Sequence, residues 1–364
     1  MTEQWVMEET RTVDLKDTRI NERLKEVISM LAEHPTASIP CASRGHAEMT
    51  AAYRLFNNAK VTMESILQPH AEATIRRVAE QKKVLVVQDT TEIDVTRPAR
   101  QVRGAGPLAK NTRRGLFLHP LIAFTTDGTP LGTVGLEQWT REEQKKTKKS
   151  KKRPVRAAIP IEKKESYRWL QSLRTAEEVA EECPDTDIIC ICDSEADIYE
   201  MFAEETSVNW IIRGCQNRAL MDEGHEDAHG HIRDAVLNQP VIDETVINVR
   251  ARKPKIDCDK RGRHQARKPR KAACNVRSGR VALRPPWRPP SGKLPSTEVN
   301  VVLVREISPP SGEEPVEWLL LTDLPVETVD LSRNVIDLYA ARWMIEIYFK
   351  VLKSGCKVEK RRFE

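Results

Sequence analysis

The sequence predicts an α/β chain: a mixed sheet with a β-rich insertion, preceded by a small all-helical unit. Three observations carry this. Residues 1–75 repeat their apolar positions at helical spacing. From Lys82 onward, short unbroken apolar runs alternate with helical stretches, the pattern of buried strands joined by helices. Between about 218 and 310, β-like segments are joined by basic and Pro-rich turns. The expected division is a helical domain over 1–75 and an α/β domain over 80–364, with the insertion at about 218–310.

Taken in order, Asp17 can cap a helix in which Ile20, Leu24, Val27, Ile28 and Leu31 share a face, with Pro35 beyond its end. A second helix spans about 45–57, with Met49, Ala52, Tyr53 and Phe56 on one side. A third covers 63–80. The three form a bundle bearing Arg19, Arg23, Arg44 and Arg54. Val84 to Val87 is a buried strand that runs into the polar Gln88-Asp89-Thr90-Thr91. Strands at 117–124 and 131–136 flank Thr126-Asp127-Gly128-Thr129, a hairpin signal. A helix over 161–182 is followed by the strand 188–192, which ends at Asp193. Helical 196–204 and the strand 210–212 come next. The insertion contributes β-like segments at 241–249, 271–276, 281–283 and 297–305. A strand at 318–322 leads to a single last helix over 332–353.

Composition narrows the function. The 364 residues allow about two or three domains. No apolar run approaches the roughly 20 residues of a membrane span, and Met1 to Thr10 lacks the apolar core of a secretory signal. A cytoplasmic protein is expected. The net charge of +5 hides two concentrations: +7 over 141–156 and +13 over 250–288, leaving −15 on the remaining 309 residues. An acidic body with two basic stretches suggests a polyanionic partner, although a Lys-rich run also reads as a solvated loop. The eight cysteines form no C-x-x-C pair, and Cys190 and Cys192 read as one face of a buried strand. His225, His229 and His231 could bind zinc, but their acidic, Gly-containing surroundings read more simply as a solvated loop.

Two buried strands thus end in aspartates, Asp89 and Asp193. One such residue is usually a turn or cap; two, separated by a hairpin and a helix, resemble the arrangement of a ribonuclease-H-like fold. On the last helix, Tyr339, Arg342, Glu346 and Lys353 fall within about 60° of one another at about 100° per residue. Leu338, Ile345, Phe349 and Leu352 form the neighbouring apolar stripe. An exposed Arg–Glu pair four residues apart would look the same.

Tyr339-x2-Arg342-x3-Glu346-x6-Lys353 resembles the signature of the insertion-sequence-four family of DDE transposases. The blocks Gln88 to Thr91 and Asp193 to Tyr199 resemble those around that family's two catalytic aspartates. Leu15 to Leu24 and Ala51 to Phe56 resemble its N-terminal DNA-binding domain, and 210–213 (WIIR) and 318–322 (WLLLT) come after them in the same order. The resemblance implies a cut-and-paste DNA transposase. Asp89, Asp193 and Glu346 would be its catalytic triad and hold two Mg²⁺ or Mn²⁺ ions. It implies phosphodiester hydrolysis, hairpin formation and strand transfer at transposon ends, on double-stranded transposon and target DNA. Arg342, Lys353, Tyr339, Lys350 and Arg213 would contact DNA near the transposon end, and Trp318 would stack on an extruded base. Nucleoid-associated localisation in a bacterium and a synaptic homodimer are expected of the family.

Three departures stand out. Ser194 occupies a position that is commonly Arg, and Lys16 one that is often Gly. The family also continues past the position of Glu364 with a helical region that joins two transposases. The expectation is therefore a chain without that C-terminal dimerisation region. Its dimerisation is open, and a truncated, inactive remnant or DNA-binding regulator is the alternative.

Overall fold

The computed structural model describes residues 3–97, 102–108, 112–143, 159–221, 230–252, 266–288 and 292–360. The Lys-rich run from 144 onward, His225, His229 and Cys258 lie outside them.

The chain opens with helices α1 (Gln4–Glu9), α2 (Thr18–Glu33), α3 (Ile39–Ala42), α4 (His46–Phe56) and α5 (Met63–Ala79). Asp17 caps α2 by accepting from the Arg19 amide, and Thr62 and Ser65 form a reciprocal cap on α5. Leu15, Leu24, Val27, Ile39, Ala52 and Leu55 bury one small core between α2, α3 and α4. Just before α2, Lys16 adopts φ 60°, so the tight left-handed turn forms without a glycine. α5 leans on the sheet instead. His70 Nδ1 meets Glu9 at 2.6 Å, and its Nε2 accepts the Thr133 amide at 3.0 Å.

The sheet begins with β1 (Lys83–Gln88), β2 (Thr91–Asp94), β3 (Gly106–Pro107), β4 (Arg114–Thr125) and β5 (Pro130–Trp139). Helix α6 (Tyr167–Glu182) leads to β6 (Asp187–Cys192), α7 (Tyr199–Phe202), β7 (Asn209–Gly214) and α8 (Ile232–Leu237). Then come β8 (Asp243–Val249), β9 (Arg270–Leu283), β10 (Trp287–Arg288), β11 (Gly292–Lys293), β12 (Thr297–Glu306) and β13 (Glu317–Thr322), and finally α9 (Val329–Ala341) and α10 (Met344–Lys350). β10 and β11 pair only with each other. The other strands make one mixed sheet of eleven, whose main path runs β2-β4-β1-β6-β7-β13-β12-β9-β8. β5 lies along the other edge of β4. β1, β6 and β7 are parallel, whereas β4 and β13 run antiparallel to their neighbours.

Alternate residues supply two cores. Val84, Val86, Cys190 and Cys192 face α6, α7 and α8; Leu85, Val87, Ile189 and Ile191 face α9 and α10. Cys190 and Cys192 therefore share a buried face as their spacing suggests, with sulfurs 3.9 Å apart.

The insertion strands β8, β9 and β12 join the main sheet through β13. Three expectations change. The segments 271–276 and 281–283 are one strand: Ser278 and Gly279 stay extended because β12 pairs them to Val302 and Val301. The helix expected over 161–182 begins only at Tyr167, and 196–204 holds one short helix, α7, after a 3₁₀ turn at Ser194–Ala196. The last helix is broken. From Tyr339 to Glu346 the amides of Arg342, Trp343, Ile345 and Glu346 bond three residues back, not four. That tightens the turn to about 120° per residue and rotates α10 relative to α9 about the helix axis. After Lys350 the winding loosens into a π turn, Val351–Gly355.

Candidate active site and nucleic-acid cleft

Asp89 owes its position to an interruption in a strand. β1 and β2 pair with β4 in one antiparallel register, Gln88 with Leu121 and Thr91 with Leu118. Asp89 and Thr90 fall between them, opposite Pro120 and His119. Proline has no N–H to donate, so the ladder breaks there, and the Asp89 carboxylate lies on the α9–α10 face with Val87, where Arg342 meets it. Asp193 comes directly after β6, whose Ile191 pairs with Val87. Each aspartate stands two residues past that pair, on neighbouring parallel strands about 4.8 Å apart. The Asp193 carboxylate accepts the Glu195 amide at 2.7 Å, which fixes it at the mouth of the 3₁₀ turn.

Asp89 is 9% exposed. Burial pushes its carboxyl up to about 7, and the nearby Asp193 charge pushes the same way; Arg342 and the Thr90 amide oppose them, and Glu346 adds a smaller upward push. Arg342, also 9% exposed, donates from Nη1 to Asp89 Oδ2 at 2.9 Å. Its Nη2 lies 4.0 Å from Glu346 Oε1. The expected polar stripe is therefore not a solvent-facing row. Tyr339 is 4% exposed and meets Trp318 in a T-shaped contact, centroids 5.4 Å apart. Arg342 turns into the core, and Glu346 is exposed.

The donor set bears on a divalent cation. Among the described residues, no group of three or more His, Cys, Asp or Glu side chains stands together as a metal-holding cluster. Asp89 and Asp193 nevertheless fit one. They are hard oxygen donors on adjacent strand ends, and their mutual repulsion is only partly relieved by Arg342. Mg²⁺ keeps several waters and is commonly held by one or two carboxylates together with substrate phosphates. Glu346 lies close enough to influence Asp89 and is exposed, but Arg342 stands beside it.

Beside these carboxylates opens a cleft of about 1340 Å³, walled by the end of β7, β8 and the residues after it, Ala266 and Arg267 before β9, the segment leading into β13, and the α9–α10 junction. Arg213, Arg233, Arg250, Arg252, Arg267 and Arg342 line it, with Trp318, Tyr339 and Trp343. Arg213 spends one N–H on the Glu317 carbonyl at 3.2 Å, and Arg250 stacks 4.4 Å over the Trp343 ring. Cationic forks beside flat rings suit a chain of phosphates and bases. Of the expected DNA contacts, Arg213, Trp318, Tyr339 and Arg342 meet here. Lys350 is exposed at the end of α10 and Lys353 half-buried in the π turn; neither lines the cleft.

Sequence reasoning did not single out Arg233, Arg250, Arg252, Arg267 or Trp343. The +13 segment signalled three of these arginines only in bulk; Arg233 sits in no charge run. Asp197 was also unassigned. Its buried carboxylate accepts the Cys215 and Gln216 amides at 2.7 Å each and pairs with Arg218, which pins the loop after β7 along the cleft floor.

No helix among the described residues is long and apolar enough to cross a membrane. Residues 2–61 match the family model described as Transposase DNA-binding, which spans α1 to α4. The cryo-EM structure of a piggyBac transposase synaptic complex with hairpin DNA is similar at 8% identity and a TM-score of 0.40, over 98% of this chain and 65% of that one. This chain thus spans less than two thirds of that protein. The N-terminal helices are similar to the DNA-binding part of transposases, and DNA is the partner this similarity supports.

Proposed function

We propose that this chain is a DDE transposase of the insertion-sequence-four kind, which cuts DNA at transposon ends and joins it to a target. The observation that carries the reading is the register of Asp89 and Asp193. Two carboxylates on adjacent parallel strand ends, one of them pushed up to about 7, form a site in need of cationic charge. The strand order β5-β4-β1-β6-β7, three antiparallel and then two parallel to β1, supports a ribonuclease-H-like core. The match of residues 2–61 to the Transposase DNA-binding model supports DNA as substrate.

In this reading Asp89 and Asp193, with Glu346 as the third carboxylate, would hold Mg²⁺ or Mn²⁺. Two bound ions would supply an activated water or 3′-hydroxyl and stabilise the leaving oxygen during in-line displacement at phosphorus. The chain's own part is orientation. Arg213 and Arg342 grip backbone phosphates from two sides of the cleft. Trp318, in T-shaped contact with Tyr339, would stack on an unstacked base, as hairpin formation requires. Lys350 and Lys353 extend the basic track along the last helix. A place on the bacterial nucleoid completes the proposal.

The test is strand transfer. Labelled duplexes from the DNA flanking the coding sequence are incubated with the protein, Mg²⁺ and a plasmid. Joined products that vanish in Asp89→Asn are expected. Retention of the duplexes with neither cleavage nor joining would overturn the enzymatic reading in favour of a DNA-binding regulator.

A further inference from the structure

Arg168 lies outside the cleft and belongs to no motif in the sequence. It is the second residue of α6, yet its guanidinium reaches both loops that carry the aspartates. Nε donates to Thr90 Oγ1 at 2.9 Å, next to Asp89. Nη2 donates to Glu195 Oε2 at 2.6 Å, two residues after Asp193. Nη1 donates to the Glu165 carbonyl at 2.6 Å, which anchors the fork to its own helix start. The rings of Trp139 and Trp169 lie against it, with centroids 5.2 and 5.3 Å from the guanidinium carbon.

The Thr90 end is fixed further. His119 is fully buried, and burial holds its imidazole well below the ordinary histidine range, so it is neutral. Its Nε2 faces Gln88 Oε1 at 3.0 Å, and its Nδ1 faces Thr90 Oγ1 at 2.9 Å. Gln88 Oε1 can only accept, so Nε2 carries the proton and Nδ1 accepts from the Thr90 hydroxyl. Thr90 Oγ1 therefore donates to His119 and accepts from Arg168. Both neighbours of Asp89 are locked, and the lock is tied to the Asp193 loop through one side chain.

We propose that Arg168 is a positioning residue that sets the separation of Asp89 and Asp193 by bridging the loops that carry them. This rests on the metal-dependent reading of the two aspartates. A planar fork can hold two acceptors at a fixed angle, which a lysine ammonium cannot. Partners behind metal ligands commonly govern how well the ligands hold the ion.

Mn²⁺ binding to the full chain, read by electron paramagnetic resonance, tests it. Wild type and Asp193→Asn are compared first, then Arg168→Gln, Glu195→Ala and the double variant. Each single change at Arg168 or Glu195 is expected to weaken Mn²⁺ binding about 10–100-fold, and the double variant to bind like the weaker single one. Glu195 is exposed, so its substitution leaves the fold intact and decides the matter even if Arg168→Gln does not fold. Wild-type binding in Glu195→Ala, or losses that multiply in the double variant, would overturn the bridge. No Asp193-dependent binding in the wild type would overturn the metal site itself, and the bridge with it.

Discussion

Replacing Asp89 with asparagine should make the protein less sensitive to pH. The folded chain holds this carboxyl up to about 7, against 3.8 for an ordinary aspartate. Between those values the folded protein binds a proton that the unfolded chain has released. Stability from this residue is therefore complete below 3.8 and is lost as the pH rises through 7. At about 1.4 kcal/mol per pH unit, the full loss is about 4 kcal/mol, of which about 3 kcal/mol falls between pH 5 and pH 8. Asp323, pushed up to about 6 by burial, has the same sign, so the wild-type curve alone does not isolate Asp89. The difference between wild type and Asp89→Asn does. The charge facing Arg342 forms only as the carboxyl ionises, so its effect is already contained in the midpoint near 7; the change from a neutral acid to an amide is the same at every pH and shifts the difference without tilting it. Urea unfolding of both proteins at pH 5, 6, 7 and 8, without divalent metal, measures the tilt. Asp89→Asn should gain about 3 kcal/mol on wild type across that range. A difference that stays level would refute the burial and repulsion assigned to this carboxylate.

Three further outcomes are expected. Arg342 holds the Asp89 carboxyl down, so Arg342→Gln should move its titration midpoint above 7, read by the carboxyl carbon-13 shift of labelled aspartate; an unchanged midpoint would remove Arg342 from the site. Lys16→Gly should stabilise the protein by about 1 kcal/mol in thermal unfolding, because the left-handed backbone there costs a side-chain-bearing residue about that much; destabilisation would contradict that conformation. Trp318→Ala should weaken binding of a hairpin or single-stranded end by about 1–3 kcal/mol while intact duplex binding is retained, in a gel-retardation titration; equal loss on both would deny the ring a stacking role.

What the sequence reveals and conceals has a physical pattern. Val84 to Val87 and Ile188 to Cys192 are legible because a strand buried on both faces needs an unbroken apolar run. The α2, α4 and α5 helices are legible because their periodicity, and in α2 and α5 their side-chain caps, are local. The end of the chain is harder. A helical wheel assumes one pitch, and the i→i−3 bonds at Arg342 and Trp343 change it, so Tyr339 and Arg342 turn inward while Glu346 stays in solvent. The continuity of β9 through Ser278-Gly279 depends on β12, a partner supplied from far along the chain. Arg168 is invisible for the same reason: its contacts with Thr90 and Glu195 span 78 and 27 residues. Asp89 is marked by its place after a strand, but Pro120, which breaks the ladder opposite it, is meaningful only once the register is known.

The central claim is that Asp89 and Asp193 act together on a phosphodiester bond. Single-turnover release of a 3′-hydroxyl from a labelled transposon-end duplex, in Mn²⁺, measures this most directly for wild type and Asp193→Asn. Removing a carboxylate whose place is set by the β1–β6 register should slow the step at least about a thousandfold, equivalent to about 4 kcal/mol of transition-state stabilisation, while duplex binding by the N-terminal helices is unchanged. Cleavage by Asp193→Asn at the wild-type rate would contradict the account.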